Sequence, residues 1–339
     1  MRRTKRRWIW CLVALAVLSL IVVACGNEEG TEEAEDEIGQ ESQGPEPLDT
    51  SSEEVIATYD GLTAGEVEEG EFNRFLNILS MVNPQLSMLI GQPEFKDQML
   101  SQYVTTKSIS AEVETTSEME EQAGQLVDML KQQYEQTQQD DVDFAAYIEE
   151  QGFSEDDVHR FFEDNMKVEE YFNEKVTDED LQQGYDQLKE DKDLRLYTAK
   201  IRHILIEINE ERDEDAAQKR AEEVKQKLEN GGDFAELAKE YSDDPGSKEN
   251  GGSLGDELTP LASETGPSFV PEFAEAARDL PLNELSDPVK TQFGYHLIEV
   301  EEREQLDFDQ AKSIVQTDVW TQKYEQYMDN ELKINTKTS

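Results

Sequence analysis

Two runs with strand character set the architecture. Tyr197–Ile208 and Phe293–Val300 alternate in polarity and favour β-branched and aromatic residues, yet they stand inside a chain whose other periodicities are helical. From Glu66 to Glu190 apolar residues recur at three- and four-residue spacing: Phe72, Phe75, Leu76 and Leu79, then Leu126, Met129, Leu130 and Tyr134. Ser154, with Asp157 three residues on, starts one helix carrying Val158, Phe161, Phe162, Met166 and Tyr171; Thr177-Asp178-Glu179-Asp180 caps the next. Asp307 caps a last helical stretch, 307–331. Val55–Gly61 reads as a short strand ending in a turn. The expected fold class is α+β: a small sheet flanked by helices, residues 196–303, inserted in a mostly α-helical domain. Residues 55–195 and a C-terminal helix within 304–339 would build that helical domain.

Period-two alternation puts Ile201, His203 and Leu205 on one face of the first run, and His296, Ile298 and Val300 on one face of the last. Two of the three histidines thus lie on apolar strand faces. A histidine so placed is most often a hydrogen-bonded core residue, so spacing alone leaves structural and functional roles open. Between the runs, Ala217, Ala221, Val224 and Leu228 make a helical stripe that Asn230-Gly231-Gly232 ends. Asp233 with Glu236 begins another helix, and Pro271 fits the first turn of a third, which carries Phe273, Ala276, Ala277 and Leu280.

The segment resembles the parvulin-type peptidyl-prolyl isomerases. The resemblance rests on Ile201-Arg202-His203-Ile204-Leu205, Gly232-Asp233-Phe234, Tyr241-Ser242-Asp243, Gly251-Gly252-Ser253-Leu254-Gly255, Val270-Pro271-Glu272-Phe273, Ser286-Asp287-Pro288-Val289 and Phe293-Gly294-Tyr295-His296. With its helical flanks and signal-like start, the chain is similar to the PrsA-type foldase lipoproteins of Gram-positive bacteria. The resemblance implies His203 and His296 as a paired-imidazole network, with Asp244 at a third catalytic position. It implies Leu254, Phe269, Phe273, Thr291 and Phe293 as the substrate-binding residues. Rotation about an X–Pro bond needs no nucleophile, cofactor or metal; it needs a dry grip on the ring and groups that favour the twisted amide. Two departures stand out. Asp256–Ser268 is longer than the family's usual link and reads as a surface loop. The segment Glu207–Asp215 is acidic where a phosphate-reading relative needs cations, so phospho-Ser/Thr-Pro specificity is not expected.

The N-terminus looks like an address. Arg2, Arg3, Lys5, Arg6 and Arg7 precede an uncharged run, Trp8–Ala24, whose end resembles a lipoprotein signal. By that resemblance residues 1–24 are removed and Cys25 is lipidated, leaving the protein on the outer face of the cell membrane. Residues 27–54 hold twelve acids and no Lys or Arg, so 25–54 is expected to be a disordered acidic linker. The net charge of −48 becomes −53 after processing and excludes nucleic acid as a partner. Such acidity suits high external salt, which screens self-repulsion; a halophilic source is expected. The implied partners are unfolded secreted proteins, and a homodimer is left open. Two other functions compete. A non-enzymatic holdase with a degenerate isomerase domain would draw support from the 256–268 insertion. A solute-binding lipoprotein would need repeated βα units in two lobes, which are missing from the pattern.

Overall fold

The computed structural model describes residues 46–137, 143–263 and 266–337. The signal segment, Cys25 and most of the acidic linker lie outside them, as do residues 138–142. Among the described residues no helix is long and apolar enough to cross a membrane. The chain forms two compact units, one running to Lys175 and resuming at Trp320, the other spanning Val176–Val319.

The first unit joins a small sheet to packed helices. β1 (Val55–Asp60) pairs antiparallel with β2 (Ala64–Glu68). It also pairs with the C-terminal strand β9 (Lys333–Thr336), giving the order β2-β1-β9. Helices α1 (Glu69–Val82), α2 (Pro93–Ser110), α3 (Ser117–Thr137), α4 (Phe144–Glu150) and α5 (Glu155–Asn173) follow. Leu76, Met99, Ile109, Phe144, Phe162 and Phe172 are among the largest fully buried side chains of their core. Ser154 and Asp157 form the reciprocal cap of α5. Strand β2 replaces the start of the helix expected from Glu66, and β9 follows the C-terminal helix, which ends at Asn330 as the pattern to 331 implied.

The expectation of disorder through residue 54 is corrected for residues 46–54. Leu48 N–H donates to Asn77 Oδ1 at 3.0 Å, and Asn77 Nδ2 donates to Leu48 O at 3.0 Å and Gln151 O at 2.9 Å. Gly70 N–H reaches Ser52 O at 2.9 Å. Asn77 is buried in the middle of an apolar helix face, so its amide needs partners, and the acidic segment supplies backbone ones.

The second unit is built on a four-stranded sheet in the order β4-β3-β8-β7. Its spine is β3 (Tyr197–Glu207) against β8 (Gly294–Gln305), antiparallel, with a bulge at Lys200/Ile201. β7 (Val289–Lys290) pairs with β8, and β4 (Thr259–Pro260) pairs with β3. Helices α7 (Glu214–Glu229) and α8 (Phe234–Tyr241) cover one face through Ile204, Ile206, Tyr295 and Leu297. Helix α9 (Pro271–Asp279) covers the other through Ala199, Ile201, Ile298 and Val300. The sheet is therefore buried on both sides. A smaller cluster joins α6 (Asp178–Glu190) and the first turns of α10 (Lys312–Asn330) around Leu196. That packing sets the edges of the unit at Val176 and Val319, wider than 196–303.

The surface-loop reading of 256–268 is also corrected. Thr259–Pro260 forms the edge strand, and Leu261 is fully buried against Phe273 and Ile298. β5 (Ala262–Ser263) and β6 (Gly266–Pro267) close a short antiparallel pair beyond it. Two backbone residues and one leucine thus make part of this insertion structural.

Candidate active site

Strand alternation aims His203 and His296 at the α9 face. Register finishes the placement, because His203 pairs with Ile298 and Leu205 with His296, so the two rings sit diagonally on neighbouring strands. The rings lie 5.3 Å apart and 16° from parallel, and Nδ1 meets Nδ1 at 3.1 Å. Phe273 stands edge-on to both, at 5.6 Å from His203 and 5.2 Å from His296. Phe269 stacks on Phe273 at 5.2 Å. Each histidine is 5% exposed.

Glycines allow the close approaches. Gly252, at φ +84°, accepts His203 N–H at 2.8 Å, and a Cβ there would lie 2.3 Å from His203 O. Gly294, at φ +142°, starts β8, where a Cβ would meet Ile206 O at 2.2 Å.

The partners form one line of hydrogen bonds. His203 Nε2 lies 2.8 Å from Asp244 Oδ2 and 3.0 Å from Ser247 Oγ. Ser247 Oγ–H donates to the same Asp244 oxygen, and Gly246 N–H donates to Oδ1 at 3.1 Å. At the far end Thr291 Oγ1 lies 2.9 Å from His296 Nε2 and accepts Phe293 N–H at 3.1 Å. Partner chemistry assigns the protons. An ionised carboxylate only accepts, so His203 carries its proton on Nε2 and its Nδ1 accepts from His296 Nδ1–H; His296 Nε2 then accepts from Thr291.

Electrostatics agree with that assignment. Burial lowers the His203 pKa, and Asp244 only partly offsets it. His296 is lowered to about 3, by burial first and then by His203. Burial alone would raise Asp244, but the hydrogen bonds from Ser247, His203 and Gly246 outweigh it and hold the carboxyl below its ordinary value. Both imidazoles are neutral at pH 7, so the floor of the site is polar in its bonds but carries no net charge on its rings.

The structure brings together His203, Asp244, His296, Thr291, Phe273 and Phe269. Leu254 is half-buried in the same cluster, its N–H on Ile201 O at 3.0 Å. Thr291 is buried with its hydroxyl bonded to His296, so its contact runs to the network. Phe293 is 50% exposed and joins the site through its backbone. Sequence reasoning gave no role to Ser242 beyond its place in the Tyr241-Ser242-Asp243 motif and none to Ser247; both are fully buried. Ser242 Oγ takes Leu205 N–H at 3.2 Å and so ties the loop to β3. In the acidic segment after β3, Arg212 is held by Asp243 and by Glu207 O.

Known proteins bear on this geometry. Residues 187–304 match the PPIC-type PPIASE domain family. A foldase protein PrsA of Caldanaerobacter subterraneus is 41% identical over 154 residues, 45% of this chain and 44% of that protein's length. The foldase protein PrsA 4 of Bacillus cereus is 30% identical over 258 residues, covering 76% of this chain and 72% of that one. A solved peptidylprolyl isomerase (PrsA) structure from Bacillus cereus matches at 28% identity and a TM-score of 0.43, over 78% of this chain and 85% of that one. The network above is therefore housed in a rotamase domain, and the chain belongs to the PrsA foldase family.

Proposed function

We propose that the protein isomerises X–Pro bonds of unphosphorylated, unfolded secreted proteins on the outer face of the cell membrane, held there by a lipid on Cys25. The observation that carries the isomerase reading is the unbroken hydrogen-bond line from Asp244 to Thr291 beneath Phe269 and Phe273. Rotation about X–Pro faces a barrier of about 18–20 kcal/mol from amide resonance. The aromatic pair and Leu254 grip the proline ring in water-poor surroundings, which removes the hydrogen bonds that stabilise the planar amide. The neutral imidazole floor supports the aromatic pair without presenting a charge to an apolar ring. Arg212, the cation of the acidic segment after β3, is already taken by Asp243.

The holdase alternative drew on the insertion, and Leu261 and β4 make that segment part of the sheet. The decisive experiment is a proline-isomerisation assay on unphosphorylated peptides with the wild-type chain. Acceleration matching the PPIC domain is expected, and none would leave only the holdase. The anchoring part is tested by fatty-acid labelling in the source organism. Label on the wild type and none on Cys25→Ala is the expected pair; equal label on both contradicts it. The net charge of −48 further predicts a melting temperature that climbs from low to molar salt, as expected for a salt-adapted source. An unchanged melting temperature contradicts that origin.

A further inference from the structure

A line of hydrogen bonds through two imidazoles can run in either direction. In one, Asp244 accepts and each later proton points toward it. In the other, Asp244 is protonated and donates, and every proton downstream reverses, leaving the Thr291 hydroxyl proton free to turn away from His296. The distances from Asp244 to Thr291 fit both directions. What distinguishes them is the number of donors already on the carboxylate.

Ser247 is 1% exposed, and its hydroxyl sits against both Asp244 Oδ2 and His203 Nε2. Its backbone does a separate job: Ser247 O accepts Asn250 N–H at 3.0 Å and Gly252 N–H at 2.9 Å, which forms the 3-10 turn Lys248–Asn250 and presents Gly252 O to His203. Loss of the hydroxyl alone therefore leaves the turn intact. We propose that Ser247 is a positioning residue of the isomerase: its hydroxyl, donated to Asp244 Oδ2, keeps that carboxylate an acceptor and so fixes the direction of every hydrogen bond from Asp244 to Thr291.

The titratable groups facing Asp244 are His203 from β3 and, behind it, His296 from β8. On its own loop, Asp243 is occupied by Arg212, and Lys248 is the cation of the adjoining turn. None of these replaces a donor on Oδ2 except His203 itself. With Ser247 absent, one fewer donor holds the carboxylate, and a proton enters the line at higher pH. That proton reverses the line or places an imidazolium under the proline pocket, and either state turns over poorly.

This inference rests on the isomerase reading, and the experiment separates the two. The kcat/KM of the full chain is measured against pH on an unphosphorylated peptide for wild type, Ser247→Ala and Ser247→Cys, a somewhat larger side chain that keeps a weak donor. Ser247→Ala is expected to shift the acid midpoint up by about one unit with the high-pH plateau within about threefold of wild type, and Ser247→Cys to fall between. Superimposable profiles, or one uniform loss at every pH, overturn the proposal. Ring ¹⁵N shifts provide a readout that needs no activity. Wild type should show the proton on His203 Nε2 and on His296 Nδ1 well below pH 6, whereas Ser247→Ala should show a mixed or reversed pattern there. An unchanged tautomer pattern in Ser247→Ala overturns the proposal even for an inactive protein.

Discussion

The two faces of the β3–β8 sheet are built from the same strands and do opposite things. Toward α7 and α8 the strands present Ile204, Ile206, Tyr295 and Leu297, which are packed by Ala217, Ala221, Val224 and Phe234. Toward α9 the same alternation presents Ile201, His203, His296 and Ile298 against Phe273. One face is apolar and gains stability from each methylene it buries. The other buries two imidazoles, whose desolvation is offset only because Asp244, Ser247 and Thr291 complete their bonds. The difference teaches that the active face depends on complete bonding of its two imidazoles within an apolar surround of Ile201, Phe273, Ile298 and Val300, whereas the opposite face depends on packing alone.

Substitutions can separate the two faces. Leu297→Ala on the apolar face should have the largest effect, lowering unfolding free energy by about 2–5 kcal/mol with kcat/KM of the folded protein nearly unchanged. Denaturant melts and the peptide assay read both. A large activity loss with small destabilisation would mean that the faces are not separable. His296→Ala on the active face should reverse the pattern. It should lower kcat/KM by about a hundredfold, because His203 Nδ1 and Thr291 lose their shared partner.

Acid should weaken the active face first. His296 has a folded pKa of about 3, far below its ordinary value. Between those values the unfolded chain binds the proton and the folded one does not, so stability is full above about pH 6.5 and falls as pH drops toward 3. The lowered His203 adds in the same direction. Wild type should lose about 2 kcal/mol between about pH 6.5 and 5. His296→Phe should flatten that slope, and equal slopes would contradict the buried-neutral assignment. Asp244, also lowered, contributes only at still lower pH. The smallest effect belongs to Phe293→Ala. At 50% exposed it should change stability by less than about 0.5 kcal/mol and reduce kcat/KM only a few-fold through lost client contact.

Much of this comparison was legible in the residues. Alternation placed each histidine on an apolar face of its strand; the register that sets the two rings side by side came from the structure. The second buried face was less legible. Ile204, Ile206 and Leu297 extend the apolar run through both parities, and a run buried on both sides loses its period-two signature. Strand β4 is two residues long, and β9 reads Lys-Ile-Asn-Thr; both exist because a partner strand supplies backbone bonds, which local pattern does not encode. The docking of residues 46–54 likewise depends on Asn77, a single polar residue inside an apolar helix face. Ser247 was illegible for the same reason: in a Ser- and Gly-rich loop, a hydroxyl that becomes fully buried looks like any other.

The most direct test of the account is an NMR titration of the His203 and His296 rings in the folded, full-length chain. The account predicts that His296 stays neutral with its proton on Nδ1 until the pH approaches about 3, with His203 also titrating below the ordinary histidine range. Titration of both rings near pH 6.5, as in an unfolded chain, would contradict it.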